Sequence, residues 1–269
     1  MGARRMVKDV LRTSRHGYFT GDRFLLGLCC LAVVFVNPLG CVTAQEARQA
    51  DVQRDLGLSY LNEGRFEDAI KELEAARDLD PRNADTHHQL GLAFFAKGIY
   101  DRAEREMKAA LARDPSLTEA HLNLGSLYLK TNRYDDAVKQ FQKVIDDYTY
   151  RHPERAYNNL GWAYFNLGRY DDALAAYEHA LKIAPRFCQV RYNIALVYEK
   201  LDNLEPALKH LERAVEYCPK DLRFRLKLGM FQAKQDRFAE ALTNLEKVIA
   251  SDPEGDLGEE ARSFLLSFQ

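Results

Sequence analysis

One spacing constrains this chain more than any other property. The pairs Leu56-Gly57, Leu90-Gly91, Leu124-Gly125, Leu160-Gly161 and Leu228-Gly229 recur, with Ile194-Ala195 in the remaining place, at intervals of 34, 34, 36, 34 and 34 residues. Ala69, Ala103, Ala137, Ala173, Ala207 and Ala241 keep the same register, and Pro81, Pro115, Pro185, Pro219 and Pro253 close five of the units. A fixed period of this length means a stack of similar small units, none of which can bury its apolar face alone. A single-core globule has no reason to hold Gly, Ala and Pro in one register over 200 residues.

The residues within a unit say what it is. The Gly of the first helix, A, permits close approach to the second helix, B, and the Ala is its small partner there. Tyr60, Phe94, Tyr128, Tyr164 and Tyr198 fill the space between the two helices, and acid pairs such as Asp135-Asp136 and Asp171-Asp172 open helix B against its dipole. This pattern resembles the tetratricopeptide repeat (TPR). The resemblance implies an all-α fold, a right-handed α-solenoid of six helix-turn-helix repeats at 50–83, 84–117, 118–153, 154–187, 188–221 and 222–255, with a capping helix over 256–269. Phe264, Leu265 and Phe268 of that cap would cover the last unit. Unit 3 carries two extra residues and Thr149 in the Pro place; this reads either as a tolerated loop insertion or as a change of superhelical pitch between units 1–3 and 4–6.

The amino terminus is different material. Six basic residues and two acids precede an uncharged run, Phe24–Val36. As a helix those 13 residues would rise about 20 Å, short of the roughly 30 Å hydrocarbon core, so they read as a secretory signal over 1–40 and not a membrane span. Pro38-Leu39-Gly40-Cys41 resembles a bacterial lipobox: Gly40 and Cys41 fit, Pro38 departs from the usual Leu, and ordinary cleavage nearby is the alternative. The resemblance implies lipidation at Cys41, with 41–49 as lipidated residue and short tether. Val42 is not the Asp of the inner-membrane retention rule, so the outer membrane is the expected address, facing the periplasm. Removal of 1–40 would take the 38 basic residues to 32 and the 40 acidic ones to 38, a charge of −6. That balance argues against nucleic acid as a partner and against surface attraction to acidic lipids, leaving the acyl chains to hold the membrane.

Signs of chemistry are sparse. There is no phosphate loop, nucleophile elbow or paired-His zinc motif, so no catalytic residue, cofactor, metal or small-molecule substrate is expected, and the chain reads as a non-enzyme. His87 and His121 occupy equivalent positions and read as packing residues. The inner face is more informative. Helix A positions that line the groove in the TPR family hold Leu92, Phe95, Leu122, Leu129, Asn158, Trp162, Phe165, Tyr192 and Leu196. Some of these would pack against neighbouring units. Trp162 and Phe165, three apart on one helix, are the expected anchors for a protein partner, with Asn158 and Asn159 a turn earlier as candidates to bond a peptide backbone. The Lys/Asn clamp of chaperone-binding TPR domains is missing.

Signal, lipobox-like Cys, tether and six TPR units together resemble the type IV pilus pilotin lipoproteins (PilF, PilW and Tgl), with Tgl as the nearest architecture. The resemblance implies an outer-membrane lipoprotein that binds the secretin PilQ and promotes its localisation and multimer assembly, serving pilus biogenesis and motility. The alternative is a periplasmic TPR scaffold for envelope or barrel-assembly enzymes. In such an oxidising compartment Cys188 and Cys218, an even pair at one edge of unit 5, are expected to form a structural disulfide, with two unrelated buried thiols as the alternative.

Overall fold

The computed structural model describes residues 42–267; the expected signal over 1–40 and the lipidation site Cys41 lie outside the described residues. Among the described residues there are thirteen α-helices and no strands. Twelve form six hairpins: α1 (Ala44–Asn62) with α2 (Phe66–Leu79), α3 (Ala84–Ala96) with α4 (Tyr100–Arg113), α5 (Thr118–Lys130) with α6 (Tyr134–Asp146), α7 (Pro153–Asn166) with α8 (Tyr170–Ile183), α9 (Cys188–Lys200) with α10 (Leu204–Tyr217), and α11 (Leu222–Lys234) with α12 (Phe238–Ser251). The last, α13 (Asp256–Leu266), packs on α12 and α11, where Phe264, Leu265 and Leu257 meet Leu226, Leu245 and Val248.

Each hairpin turns the same way for a local reason. The residue two places after helix A has positive φ in all six: Gly64, Gly98, Asn132, Gly168, Asp202 and Asp236. Gly, Asn and Asp are the residues that tolerate this region. The next amide then reaches back five residues, as in Arg65 N to Tyr60 O at 2.9 Å and Arg133 N to Tyr128 O at 2.8 Å, which satisfies helix A's last carbonyls.

The repeating Gly sets how close A and B come. A Cβ on Gly125 would stand 2.6 Å from Phe141 Cε1, and one on Gly161 would stand 2.6 Å from Tyr177 Cε1. The residue facing each Gly lies sixteen places on: Leu73, Met107, Phe141, Tyr177 and Leu245, with Leu211 facing Ala195 in unit 5. All six facing side chains are fully buried. The six register alanines of helix B are buried with them. The acids that open helix B have a second partner besides the dipole. Arg65, Arg133, Arg169 and Arg237 sit at the N-caps of α2, α6, α8 and α12 and bond Asp68, Asp136, Asp172 and Glu240 at 2.8–3.0 Å. Three of these guanidiniums also lie 4.2–4.4 Å over Tyr60, Tyr128 and Tyr164, so one side chain ties the tail of A to the head of B.

Two expectations need correction. The tether over 41–49 is helical from Ala44, because Thr43 and Glu46 form a capping box (Glu46 N to Thr43 Oγ1 3.2 Å, Thr43 N to Glu46 Oε2 2.8 Å) that starts α1 there. Leu122 is a core residue, 4% exposed among Leu124, Leu127 and Phe141, and does not line the groove.

Candidate protein-binding groove

The A helices of units 1–5 form one continuous inner surface, since α1, α3, α5 and α7 each touch the next A helix. The chain brings the expected groove residues onto four of them. Leu92 and Phe95 are on α3, Leu129 on α5, Asn158, Trp162 and Phe165 on α7, and Tyr192 and Leu196 on α9. Leu92, Phe95 and Leu129 are half-buried and pack on the core of units 1–3, Phe165 packs on that of units 4–5, and Tyr192 lies against Phe224 at 5.3 Å. Trp162 and Leu196 are half-buried and belong to none of the core clusters. They hold the same repeat position, 34 residues apart, on adjacent helices α7 and α9.

The Trp162 ring stacks on Phe165 at 5.1 Å and 17°, and Phe165 in turn tilts onto Tyr170 at 5.9 Å. The stack fixes the indole's orientation, so binding a partner would cost it little rotamer entropy. Asn158 is less available than its sequence position implies. Its Oδ1 accepts from Asn193 Nδ2 at 3.0 Å, and its Nδ2 donates to Asn159 Oδ1 at 3.1 Å. The same device joins units 2 and 3, where Asn123 Nδ2 and His88 Nε2 lie 2.9 Å apart. These bonds tie neighbouring A helices together inside the groove floor. Further along, the position of Phe95 and Phe165 becomes Glu199, which accepts from Lys227 and Lys234 at 2.8 Å each. At that position the inner face is therefore apolar in units 2–4 (Phe95, Leu129, Phe165) and charged in unit 5 (Glu199).

His87 and His121 are buried and structural. His87 Nδ1 is 2.6 Å from Glu106 Oε2, and His121 Nδ1 is 2.8 Å from Gln140 Oε1, while their Nε2 atoms lie near Pro81 O and Pro115 O. Among the described residues no group of three or more His, Cys, Asp or Glu converges as a metal site, and no helix is long and apolar enough to cross a membrane. Cys188, at the start of α9, and Cys218, the C-cap of α10, are joined by a disulfide with Cα atoms 6.3 Å apart. The N-cap arginines and the inter-unit polar bonds escaped the sequence reading. The first had a visible signal, an Arg three residues before an acid in four of six units.

Tetratricopeptide-repeat family profiles match residues 54–118, 116–186, 164–228 and 225–255, leaving no gap from 54 to 255. The chain belongs to the tetratricopeptide-repeat family. Among solved TPR structures it is similar to PilF of Pseudomonas aeruginosa, at 24% identity and a TM-score of 0.70, covering 83% of this chain and 99% of that one. It is similar to PilW, a widely conserved type IV pilus biogenesis factor, at 20% identity and a TM-score of 0.73, covering 80% and 98%. MamA of AMB-1 is 31% identical with a TM-score of 0.55, covering 64% of this chain and 93% of that one. No curated protein sequence matches the chain.

Proposed function

We propose that this TPR protein is a type IV pilus pilotin: a non-enzymatic lipoprotein of the outer membrane, anchored through Cys41 and facing the periplasm, that binds the secretin PilQ and promotes its localisation and multimer assembly. The observation that carries the reading is the extent of the PilW likeness. It runs over 98% of that type IV pilus biogenesis factor at a TM-score of 0.73, so the whole array is alike and not one generic repeat pair. The aromatic stretch of the groove, with Trp162 and Leu196 outside the core, supplies a surface of the kind that holds an apolar segment of a partner.

The anchor fits this mechanism. Only Val42 and Thr43 separate Cys41 from α1, a reach of about 7 Å when extended. A lipid on Cys41 would hold the first unit against the membrane, and secretin protomers bound to the solenoid would be concentrated there, which favours their assembly.

The test is deletion of the gene in the source organism, with heat-stable secretin multimers, secretin monomer and surface motility measured together. Multimers and motility should vanish while monomer persists. Normal multimers in the deletion strain would refute the pilotin reading and leave a scaffold for other envelope enzymes.

A further inference from the structure

A stack of hairpins has two ends, and this one closes only the second. The last hairpin is covered by α13, whereas no helix precedes α1 among the described residues. In units 2–6 the preceding helix B lies against helix A. Leu90, Leu124, Leu160, Ile194 and Leu228 are at most 5% exposed there, and the residues four places before them at most 2%. In unit 1 the same two positions hold Leu56, 40% exposed, and Val52, 65% exposed. A third position of the stripe, buried as Leu127 and Phe231 in units 3 and 6, has become Ser59. An end that met only water would gain by a polar outer face throughout, yet two of the three positions have stayed apolar.

The rim of this stripe carries little unpaired charge. Asp51 and Asp55 lie 2.8 and 3.5 Å from Arg54, and Glu63 lies 3.4 Å from Arg65. Gln45, Arg48 and Gln49 continue the stripe toward the start of α1, and all three are exposed. An Arg in such a place can lay its stem on apolar surface and keep its head in a polar layer. Val52 and Leu56 lie about 12 and 18 Å along α1 from Ala44, and only Val42 and Thr43 separate that helix from Cys41.

We propose that the Val52–Leu56 stripe is the surface on which the protein rests on its membrane. With Cys41 anchored, α1 lies along a zwitterionic phospholipid leaflet, and both side chains sink to the boundary between headgroups and acyl chains, the depth reached by amphipathic helices that lie in the interface. The inference rests on the lipid anchor of the proposed function. That anchor is what selects lipid over a protein occupant, because it holds the bare end within about 7 Å of the bilayer. A rim of paired charges suits zwitterionic headgroups and offers no attraction to anionic ones. The inner groove is left free for its partner.

The mature lipoprotein would be made with Val52→Cys, with Leu56→Cys and, as a control, with Tyr148→Cys, which is 95% exposed in unit 3. Cys188 and Cys218 are joined and an acylated Cys41 has no free thiol, so a thiol-reactive nitrobenzoxadiazole label reports one site in each variant. The labelled chains would be placed in phosphatidylcholine–phosphatidylethanolamine vesicles, with and without bromine on the upper acyl carbons, and the mass of the amino terminus measured. At positions 52 and 56 the emission should shift to the blue, with bromine quenching at least twofold stronger than at 148. Equal, weak quenching at all three sites in a chain whose mass shows the acyl group would overturn this surface and leave the anchor standing. A blue shift at 52 and 56 without quenching would give the stripe to a protein, a second copy or a partner's helix, and overturn the proposal likewise. A chain without the acyl mass would overturn the anchor and this surface together.

Discussion

Gly161 and Tyr177 make the tightest demand of the repeat, and the chain contains its own control. A methyl group at Gly161 would lie 2.6, 2.7 and 2.9 Å from three carbons of the Tyr177 ring, where ordinary carbon contacts are about 3.5–4.0 Å. The ring is fully buried and would have to move about 1 Å inside a packed core. Overpacking of this kind costs about 1–3 kcal/mol, and the better helix propensity of Ala returns about 1 kcal/mol. Gly161→Ala should therefore destabilise by up to about 2 kcal/mol. Unit 5 already carries Ala195 against Leu211, a smaller partner at the same pair of positions. Gly161→Ala with Tyr177→Leu copies that solution, so the double variant should be more stable than the two single costs imply. Urea unfolding followed by helical circular dichroism gives the cycle. A coupling of about 1 kcal/mol or more in favour of the double variant is expected. Additivity within about 0.5 kcal/mol would refute the argument that the Gly exists to admit the ring.

The other predictions rest on separate contacts. If the proposed function holds, Trp162→Ala with Leu196→Ala should weaken binding of the secretin by about 2 kcal/mol or more while helix content and urea midpoint hold, since neither side chain belongs to a core cluster; a pull-down and a melt on the same sample check both. Reduction of Cys188–Cys218, whose loop spans 30 residues, should lower stability by at most about 3–4 kcal/mol on the chain-entropy account, with the loss reversed on reoxidation. The Asp136 carboxyl is held below its ordinary range by its hydrogen bond to Arg133, so its contribution is present above the unfolded-state value near 4 and fades as pH falls through the lower folded value. Arg133→Gln should flatten that acid limb in a pH series of urea midpoints, and an unchanged limb would assign the acid loss elsewhere.

Much of the fold is legible because each repeat position answers a local question. Gly125 is small because Phe141 passes over it, and Asn132 can replace Gly at the hairpin turn because its side chain tolerates positive φ. Such demands recur every 34 residues, so a coincidence at one unit is exposed by the other five. The start of α1 lies outside the repeat pattern, because Thr43 and Glu46 form a capping box before the register begins. A period has no authority over residues outside it.

The groove is harder to read, and Leu122 shows why. It shares its repeat position with His88, Asn158 and Tyr192, yet the four end in different surroundings: Leu122 in the core, His88 bonded to Asn123, Asn158 bonded to Asn193, and Tyr192 against Phe224. The repeat fixes which way such a side chain leaves helix A. How much of it stays accessible depends on what the next hairpin lays against it, and that residue belongs to another unit with its own substitution. The period carries no record of that pairing. The same logic separates Trp162 from Phe165, three residues apart on one helix: Phe165 packs on the core of units 4–5 beside Tyr170, whereas Trp162 stacks on Phe165 and belongs to no core cluster. It also accounts for Arg191 and His210. Each alone is an ordinary residue for its helix, yet where units 2, 3 and 6 pair a donor with an acceptor at these positions, unit 5 sets a guanidinium beside an imidazole. A function written in such pairs becomes visible only once helix B is folded back on helix A.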